Sequence, residues 1–569
     1  MKLFAFFLFC LFCKSFAADL DRSWWKHTII YEILPFSFKD SDGDGRGDIK
    51  GISSKLDHFV DLGIETIHLT PVYETSMRDM GYDITDYYKI DQRYGTMDDF
   101  DELMAEMKKR DLKLILDLVI NHSGYKNEWF VKSVDKIDPY TDYYVWKDAK
   151  EIINGTPTPP NKWRNIFHYY DGSAWEWNEK RQQFYLHQFL PEQPDFDLGN
   201  ENVKNELKKI ITFWLDKGVA GFRLDAAPHF FEDKEFRDDS YDRQKDQPET
   251  LEFIHEFRLF LDDYSVKHGG FERIYVAEAH SDHATAAKYY GTKEYPLTHF
   301  PYSFILEYID QPMNGFWFFW FVDEWMEYLP DGEVSAWMTQ DHDGNRVGSR
   351  VVPEYSDIVT MLSMLLPGTV GVYYGQEIGM LNGFITPEQV RDYSGGGGRD
   401  PARLLMQWDN STSAGFSTNA TTFLPSNSDY FVRNVEFQKK EEFSQYNMFK
   451  DLSALRKTDT LKVGRFDHFP FYEEDIYMLK RSHEEHEIFL VISPAQSVLH
   501  VNLTRLMHNP PNLVSVVTAS TNAGYSRGST LDRQSLDKFK FLPLSAVVFE
   551  TNRPKNEKKS KESEKDDNL

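Results

Sequence analysis

Two carboxylates stand at the ends of short apolar runs, Asp225 in Gly221-Phe222-Arg223-Leu224-Asp225-Ala226 and Glu278 in Tyr275-Val276-Ala277-Glu278-Ala279. One carboxylate as nucleophile and a second carboxyl as proton donor, about 5 Å apart, are the equipment for cleaving a glycosidic bond with retention. Arg223 lies two residues before Asp225 and so on the same strand face, where its cation would keep that carboxylate ionised. Taken alone, the pattern leaves open that both acids are solvated surface groups.

A second cluster is Asp40-Ser41-Asp42-Gly43-Asp44-Gly45-Arg46-Gly47-Asp48. Carboxylates at alternate positions of a glycine-bent loop wrap a hard cation in oxygen, and the expected ligands of a structural Ca2+ are Asp40, Asp42, Asp44, the carbonyl of Arg46, and Asp48. No bidentate Glu follows at the twelfth position, so the loop is not an EF-hand, and a solvated acidic turn is the alternative.

Placing these groups requires a scaffold. Aliphatic or β-branched runs at 28–34, 66–69, 112–119, 221–225, 274–278 and 369–374 are separated by helical patterns, as in parallel strands buried on both faces. Several end in an acidic or amide residue, and the C-terminal strand ends of an eight-stranded barrel are where reactive groups sit. The expected fold class is α/β, a (β/α)8 TIM barrel with an inserted subdomain after strand 3 and a C-terminal antiparallel β domain. Residues 18–121 and 201–470 would form the barrel, 122–200 a capping subdomain, 376–445 a late insertion, and 471–552 the β domain.

The same residues then resemble glycoside hydrolase family 13, the α-amylase superfamily, and within it the insect-type maltases and sucrases close to the oligo-1,6-glucosidase branch. The resemblance runs from Trp24 to Glu550 and rests on five ordered motifs: Leu116-Asp117-Leu118-Val119-Ile120-Asn121-His122, Gln193-Pro194-Asp195, Gly221 to Ala226, Glu278 with its strand, and Asp341-His342-Asp343. It implies that Asp225 attacks the anomeric carbon, Glu278 protonates the leaving oxygen, and Asp343 grips sugar hydroxyls. It further implies that His122 and His342 bond the same glucose, Arg223 orients Asp225, and Tyr82 stacks below the ring. Asp79 and Arg403 would hold the terminal 4-hydroxyl and close the pocket, the mark of an exo-acting enzyme.

The pattern is broken at several places. Asp341 stands where the family usually has Asn, His280 where it commonly has Tyr, and Glu32, Leu34 and Phe36 where it usually has Gln, Tyr and Arg. Leu404-Leu405 replaces Thr-Pro, and four glycines, Gly395 to Gly398, precede Arg399. Ala226, small and next to the nucleophile, goes in this family with sucrose and α-1,4 substrates.

Composition bounds the partners. A net charge of −27, with no clustered Lys and Arg before the extreme C-terminus, excludes a polyanion such as nucleic acid and leaves a neutral sugar compatible. Residues 1–17 read as a cleavable signal peptide holding both cysteines, Cys10 and Cys13, so the mature chain would have no thiol chemistry. Sequons at Asn154, Asn410, Asn419 and Asn502 fit a secreted glycoprotein, whereas Asn121 should be buried and unmodified. The aromatic run from Phe316 to Val322 is too short to span a membrane and reads as a buried helix face; residues 553–569 read as a disordered polar tail.

The expectation is a secreted retaining α-glucosidase acting on sucrose or maltose-type sugars, with possible transfer to a second sugar; the resemblance implies a gut or salivary lumen. Two readings compete with it: an open-cleft amylase, and a barrel kept as a receptor or transporter subunit without catalysis.

Overall fold

The computed structural model describes residues 20–167, 172–394, 398–471, 473, 475–507 and 510–551. The expected signal peptide, with Cys10 and Cys13, and the expected polar tail lie outside the described residues.

Eight strands, β1 Ile29–Ile33, β2 Thr66–Leu69, β3 Lys113–Leu118, β4 Gly221–Leu224, β5 Ile274–Ala277, β6 Phe300–Pro301, β7 Ala336–Trp337 and β8 Thr369–Tyr373, form one sheet. Their order is β6-β5-β4-β3-β2-β1-β8-β7, all pairs parallel. Just past β6, Ser303 pairs with Trp337 of β7, donating its N–H to the Ala336 carbonyl at 2.8 Å and accepting from Met338 N–H at 2.9 Å. That bridge brings the two edges together and leaves few unpaired backbone groups. The molecule is therefore a TIM barrel, and β6 and β7, two residues each, are too short to register as hydrophobic runs.

The surrounding helices show why these residues fold as they do. Helix α1, Met97–Lys109, opens on a capping box between Thr96 and Asp99 and buries Phe100, Leu103 and Met107, a spacing of three and four that lines one face. In α2, Glu201–Asp216, Asn200 caps the N-terminus and Val203, Leu207, Ile210, Ile211, Trp214 and Leu215 are buried. Removing Leu207 or Ile210 from water stabilises the fold by about 1.5–3 kcal/mol each. The indole of Trp214 donates to the Tyr87 carbonyl at 2.9 Å, so its one polar atom is satisfied within the core.

The segment between β3 and β4 folds as a small unit beside the barrel. A helix, Glu128–Val134, precedes a three-stranded antiparallel sheet in the order Trp146–Lys147, Gln183–Leu186, Trp175–Asn178. Val145, Trp163, Ala174, Trp175, Phe184 and Leu186 form its own core. A bridge between His122 and Asp195 sews it to the end of β3, at the level where the candidate site residues emerge.

After the barrel comes a six-stranded antiparallel sheet, ordered Arg465–Phe471, Ile476–His483, His486–Ser493, Ser545–Glu550, Leu513–Ala519, Thr530–Asp532. Its first strand begins before residue 471. Side chains alternate between two cores: Tyr477, Leu479, Ile488, Leu490 and Val548 join the barrel core, while Ile476, Met478, Phe489, Val491 and Phe549 form a second one. Period two along each strand is what lets one sheet serve both.

The aromatic run lies in α3, Gly315–Tyr328, N-capped by Asn314. Phe318, Phe321, Val322 and Trp325 are buried, but Trp317 and Trp320 are exposed. The run thus supplies the expected buried face and, beside it, an exposed one: at 100° per residue seven consecutive apolar residues circle the helix, and Trp317 and Trp320, three apart, share the outer side. Among the described residues no helix is long and apolar enough to cross a membrane.

Candidate active site

Asp225 follows β4 and Glu278 follows β5, so adjacent parallel strands deliver both acids to the same end of the barrel. Register aligns Arg223 with Asp117 of β3, and the guanidinium becomes the hub. Its Nη1 donates to Asp225 Oδ1 at 2.5 Å and to Asp117 Oδ1 at 3.0 Å, while Nη2 lies 2.9 Å from Glu278 Oε1. Arg223 is 3% exposed, and a buried cation of this kind persists because three carboxylates surround it. Glu278 Oε2 accepts the N–H of Ala226 at 2.7 Å. Ala226 supplies that N–H from a left-handed backbone, φ 49° and ψ 37°, a conformation that costs a non-glycine residue about 1–3 kcal/mol and is characteristic of functional turns.

Their surroundings shift the two acids in opposite directions. Burial lifts Asp225 far above the usual carboxylate range, with Arg223 opposing and Glu278 adding to the lift. Glu278 is buried as well, but Arg223 and His280 outweigh that and hold it low.

A second hub closes the cleft's polar end. Asp343 Oδ1 accepts from Arg399 Nη1 at 2.6 Å and from Arg403 Nη2 at 2.8 Å, and its Oδ2 lies 3.1 Å from His342 Nε2. Burial would raise this carboxyl, yet His342, Arg399 and Arg403 keep it well below its ordinary value. Arg399 Nη2 also donates to Asp79 Oδ1 at 2.9 Å, and Asp79 Oδ2 accepts from Gln193 of the capping subdomain at 3.0 Å. Arg403 sits differently from the expectation that it closes the pocket. It is 1% exposed and donates to the His342 carbonyl at 2.7 Å, behind Asp343, whereas Arg399 is the arginine lining the cavity. The turn Asp400–Ala402 between them separates a wall residue from a supporting one.

Tyr82 is 8% exposed. Its hydroxyl donates to Asp117 Oδ2 at 2.7 Å and lies 2.9 Å from His342 Nε2, with the two rings stacked at 5.5 Å and 6°. His342 Nδ1 is 2.7 Å from Glu32 Oε1; burial lowers this imidazole, but Asp343 and Glu32 prevail and raise it to about 9. His122 behaves oppositely. Burial takes it down to about 4, so it is a neutral ring, 3.1 Å from both the Tyr82 carbonyl and the Gln193 amide.

These side chains bound a cavity of about 310 Å³. Asp79, Tyr82, His122, Asp343 and Arg399 form its polar end, Asp225 and Glu278 its middle, and Ile166, Phe167, Pro228, Tyr241, Lys245 and His280 the remaining wall. A pocket with convergent hydroxyl-binding groups at one end and mixed apolar and polar groups at the other takes one small ring deeply and a second group loosely. Asp117, Glu32, Arg399 and the network through Asp392 and Ser394 were not singled out from sequence as site residues. Their signal was present only in the strand motif holding Asp117 and in the Arg399-to-Arg403 spacing.

The acidic loop lies beyond this cleft. Asp40, Asp42 and Asp48 bring oxygens within 4.8 Å of one another, a spacing one hard cation can satisfy with bonds of about 2.3–2.6 Å. Asp44 Oδ1 instead accepts the Arg46 N–H at 2.7 Å, so three of the expected carboxylates converge and Asp44 stands apart. Asp48 also caps the helix Ile49–Ser53, and burial raises it. Gly45 has φ +92°, and a Cβ there would meet the Thr421 carbonyl at 2.4 Å, so the loop's bend needs glycine. Asp40 accepts from Ser417 at 2.5 Å and Asn419 donates to Gly43 at 3.1 Å, which fastens the loop to the segment carrying Arg399. Asn154 and Asn410 are exposed, Asn419 and Asn502 partly so, and Asn121 is buried.

A family model described as the alpha amylase catalytic domain matches residues 32–464. The chain is 38% identical over 493 residues to the salivary alpha-glucosidase of Anopheles gambiae, covering 81% of this chain and 82% of that protein. It is 36% identical over 573 residues to the alpha-glucosidase of Apis mellifera, covering 95% and 97% respectively. Among solved structures it is similar to a trehalulose synthase mutant in complex with Tris, with TM-score 0.81, 27% identity, and coverage of 93% of this chain and all of that one.

Proposed function

The chain belongs to the alpha-amylase family and is a glycoside hydrolase with the make-up of an α-glucosidase, and from that premise we propose that it is a secreted, retaining, exo-acting enzyme cleaving terminal α-glucosyl bonds of sucrose or maltose-type sugars. The observation that carries the reading is the single Arg223 guanidinium gripping Asp225 and Glu278 together. Two carboxylates bound to the two terminal nitrogens of one guanidinium are held close to one another, which supports the retaining arrangement, about 5–5.5 Å between carboxyl groups, over the wider one that inverting enzymes need to admit a water.

In this mechanism a glucosyl ring enters with its 4-hydroxyl toward Asp79 and Arg399. Tyr82 lies against its face, and Asp343, His342 and His122 bond its hydroxyls. Asp225 Oδ attacks the anomeric carbon as the glycosidic bond breaks, and Glu278 gives its proton to the departing oxygen. Water then attacks the glucosyl ester, losing its proton to Glu278. A second sugar in place of water would give transfer. In the free site Asp225 is the acid lifted and Glu278 the one held low; when the bond breaks Glu278 must carry the proton and Asp225 must be ionised between Arg223 and the anomeric carbon.

The salt-bridged polar end favours exo action over an open amylase cleft, since Asp79 and Arg399 stop a chain from passing through. Retention of Asp225, Glu278 and Asp343 in one cavity argues against a barrel kept only for binding. The salivary name of one relative and the N-terminal pattern of the chain support secretion, with glycans at Asn154, Asn410, Asn419 and Asn502. We further propose a structural Ca2+ on Asp40, Asp42 and Asp48, with Asp44 and the Arg46 carbonyl recruited on binding. It would neutralise converging carboxylates and brace the Arg399 segment.

A panel of sucrose, maltose, isomaltose and an aryl α-glucoside tests the activity. Glucose release is expected, and Asp225→Asn should lower kcat by about 10⁴-fold or more, the scale on which removing a catalytic nucleophile acts. An Asp225→Asn variant as active as the wild type would refute the assignment.

A further inference from the structure

Two of the departures noted in the sequence, His280 and Asp341, lie near enough to feel one another's charge. His280 Nε2 lies 3.3 Å from Glu278 Oε1, and its ring is stacked on Phe304 at 4.1 Å and 21°, which fixes the plane in which that nitrogen points. Asp341 and Glu307 both border the backbone at Gly344. A Cβ placed on Gly344 would lie 3.6 Å from Asp341 Oδ1 and 3.9 Å from Glu307 Oε2. Glu307 Oε1 is buried without a hydrogen-bond partner. On the opposite side, Lys245 Nζ donates to the His280 carbonyl at 3.4 Å, and His229 lines the same cavity.

We propose that His280 is a positioning residue that holds, beside Glu278, the proton Glu278 delivers to the leaving group. The inference rests on the reading of Glu278 as acid/base. In the first step a proton passes from His280 Nε2 to Glu278 and from Glu278 to the glycosidic oxygen, while the anomeric carbon exchanges its bond to that oxygen for one to Asp225. In the second step water bonds to the anomeric carbon, the bond to Asp225 breaks, and the water's proton returns through Glu278 to His280. Protons balance over one turnover without any co-reactant.

Electrostatics agree with the geometry. The protein atoms around the ring would lower His280, but its hydrogen bond to Glu278 and the charge of that carboxylate exceed them, with lesser help from Asp341, and raise the imidazole to about 9. His229, which also faces this wall, is kept neutral by burial, with its value near 4, and does not compete for the proton. The carboxylate at Asp341, where the resemblance calls for an amide, adds to that support, but burial raises Asp341 and lifts Glu307 well above its ordinary range, so Glu278 is the partner that chiefly keeps the imidazolium charged. A ring so placed, with 53% of its side-chain surface open, also faces whatever group leaves.

The test compares kcat/KM, which reports the first step, for wild type, His280→Gln and His280→Tyr. Substrates are maltose or sucrose, whose leaving oxygen needs a proton, and α-glucosyl fluoride, whose leaving group needs little help. Melting curves establish that each variant is folded, and Tyr keeps the stack on Phe304 if Gln does not fold. The proposal expects the variants to lose at least about tenfold more on the disaccharide than on the fluoride, within the range that general acid assistance supplies. It also expects the alkaline limb of the wild-type profile to move to lower pH. Equal losses on both substrates with an unmoved alkaline limb would overturn it. Failure of the underlying reading is distinguishable, because then Glu278→Gln would itself lose no more on the disaccharide than on α-glucosyl fluoride.

Discussion

At the scale of single residues, the site is a set of charges that survive burial only through one another. His342 illustrates the consequence for pH. Its imidazole is raised to about 9 by Asp343 and Glu32, above the unfolded value of about 6.5. A group raised on folding contributes stability that is fully present below about 6.5 and is lost as pH rises through about 9. His280 acts with the same sign. The melting temperature should therefore fall between these pH values, and His342→Gln should flatten that fall. Parallel curves for variant and wild type would show that His342 is not an imidazolium in the folded protein. Sequence was informative at this scale where a residue ends a strand, as Asp225 and Glu278 do. It was blind between Arg399 and Arg403: both flank a short turn, and only packing determines which one meets the cavity and which supports Asp343 from behind.

At the scale of elements, β1 to β5 and β8 were legible because four to six consecutive apolar residues are needed to bury both faces of a parallel strand. The pairs β6 and β7 were not, since two residues carry no period. The aromatic helix was half legible: its length and apolar character are plain, but the outward turn of Trp317 and Trp320 follows from which neighbours arrive. The acidic loop gives the prediction at this scale. If Ca2+ joins Asp40, Asp42 and Asp48, a chelator should lower the melting temperature and leave the pH optimum in place, and Ca2+ at about a hundred times its dissociation constant should restore about 2.7 kcal/mol. Unchanged melting in chelator, with no metal found in the purified protein, would mean the loop is held by its own hydrogen bonds, of which Asp40 and Asp48 already accept several.

At the scale of the whole molecule, the barrel, the capping unit and the late segment each supply one wall. The barrel brings Asp225 and Glu278, the capping unit Ile166, Phe167 and Phe189, and the late segment Arg399. A net charge of −27 does not repel a neutral sugar, and Arg399 in the cavity wall is engaged by Asp343 and Asp79. The central claim is retention through Asp225 with Glu278 as acid/base, and stereochemistry tests it most directly. Proton NMR of the first glucose released from an aryl α-glucoside, recorded before mutarotation, should show the α-anomer. The β-anomer as first product would contradict the account.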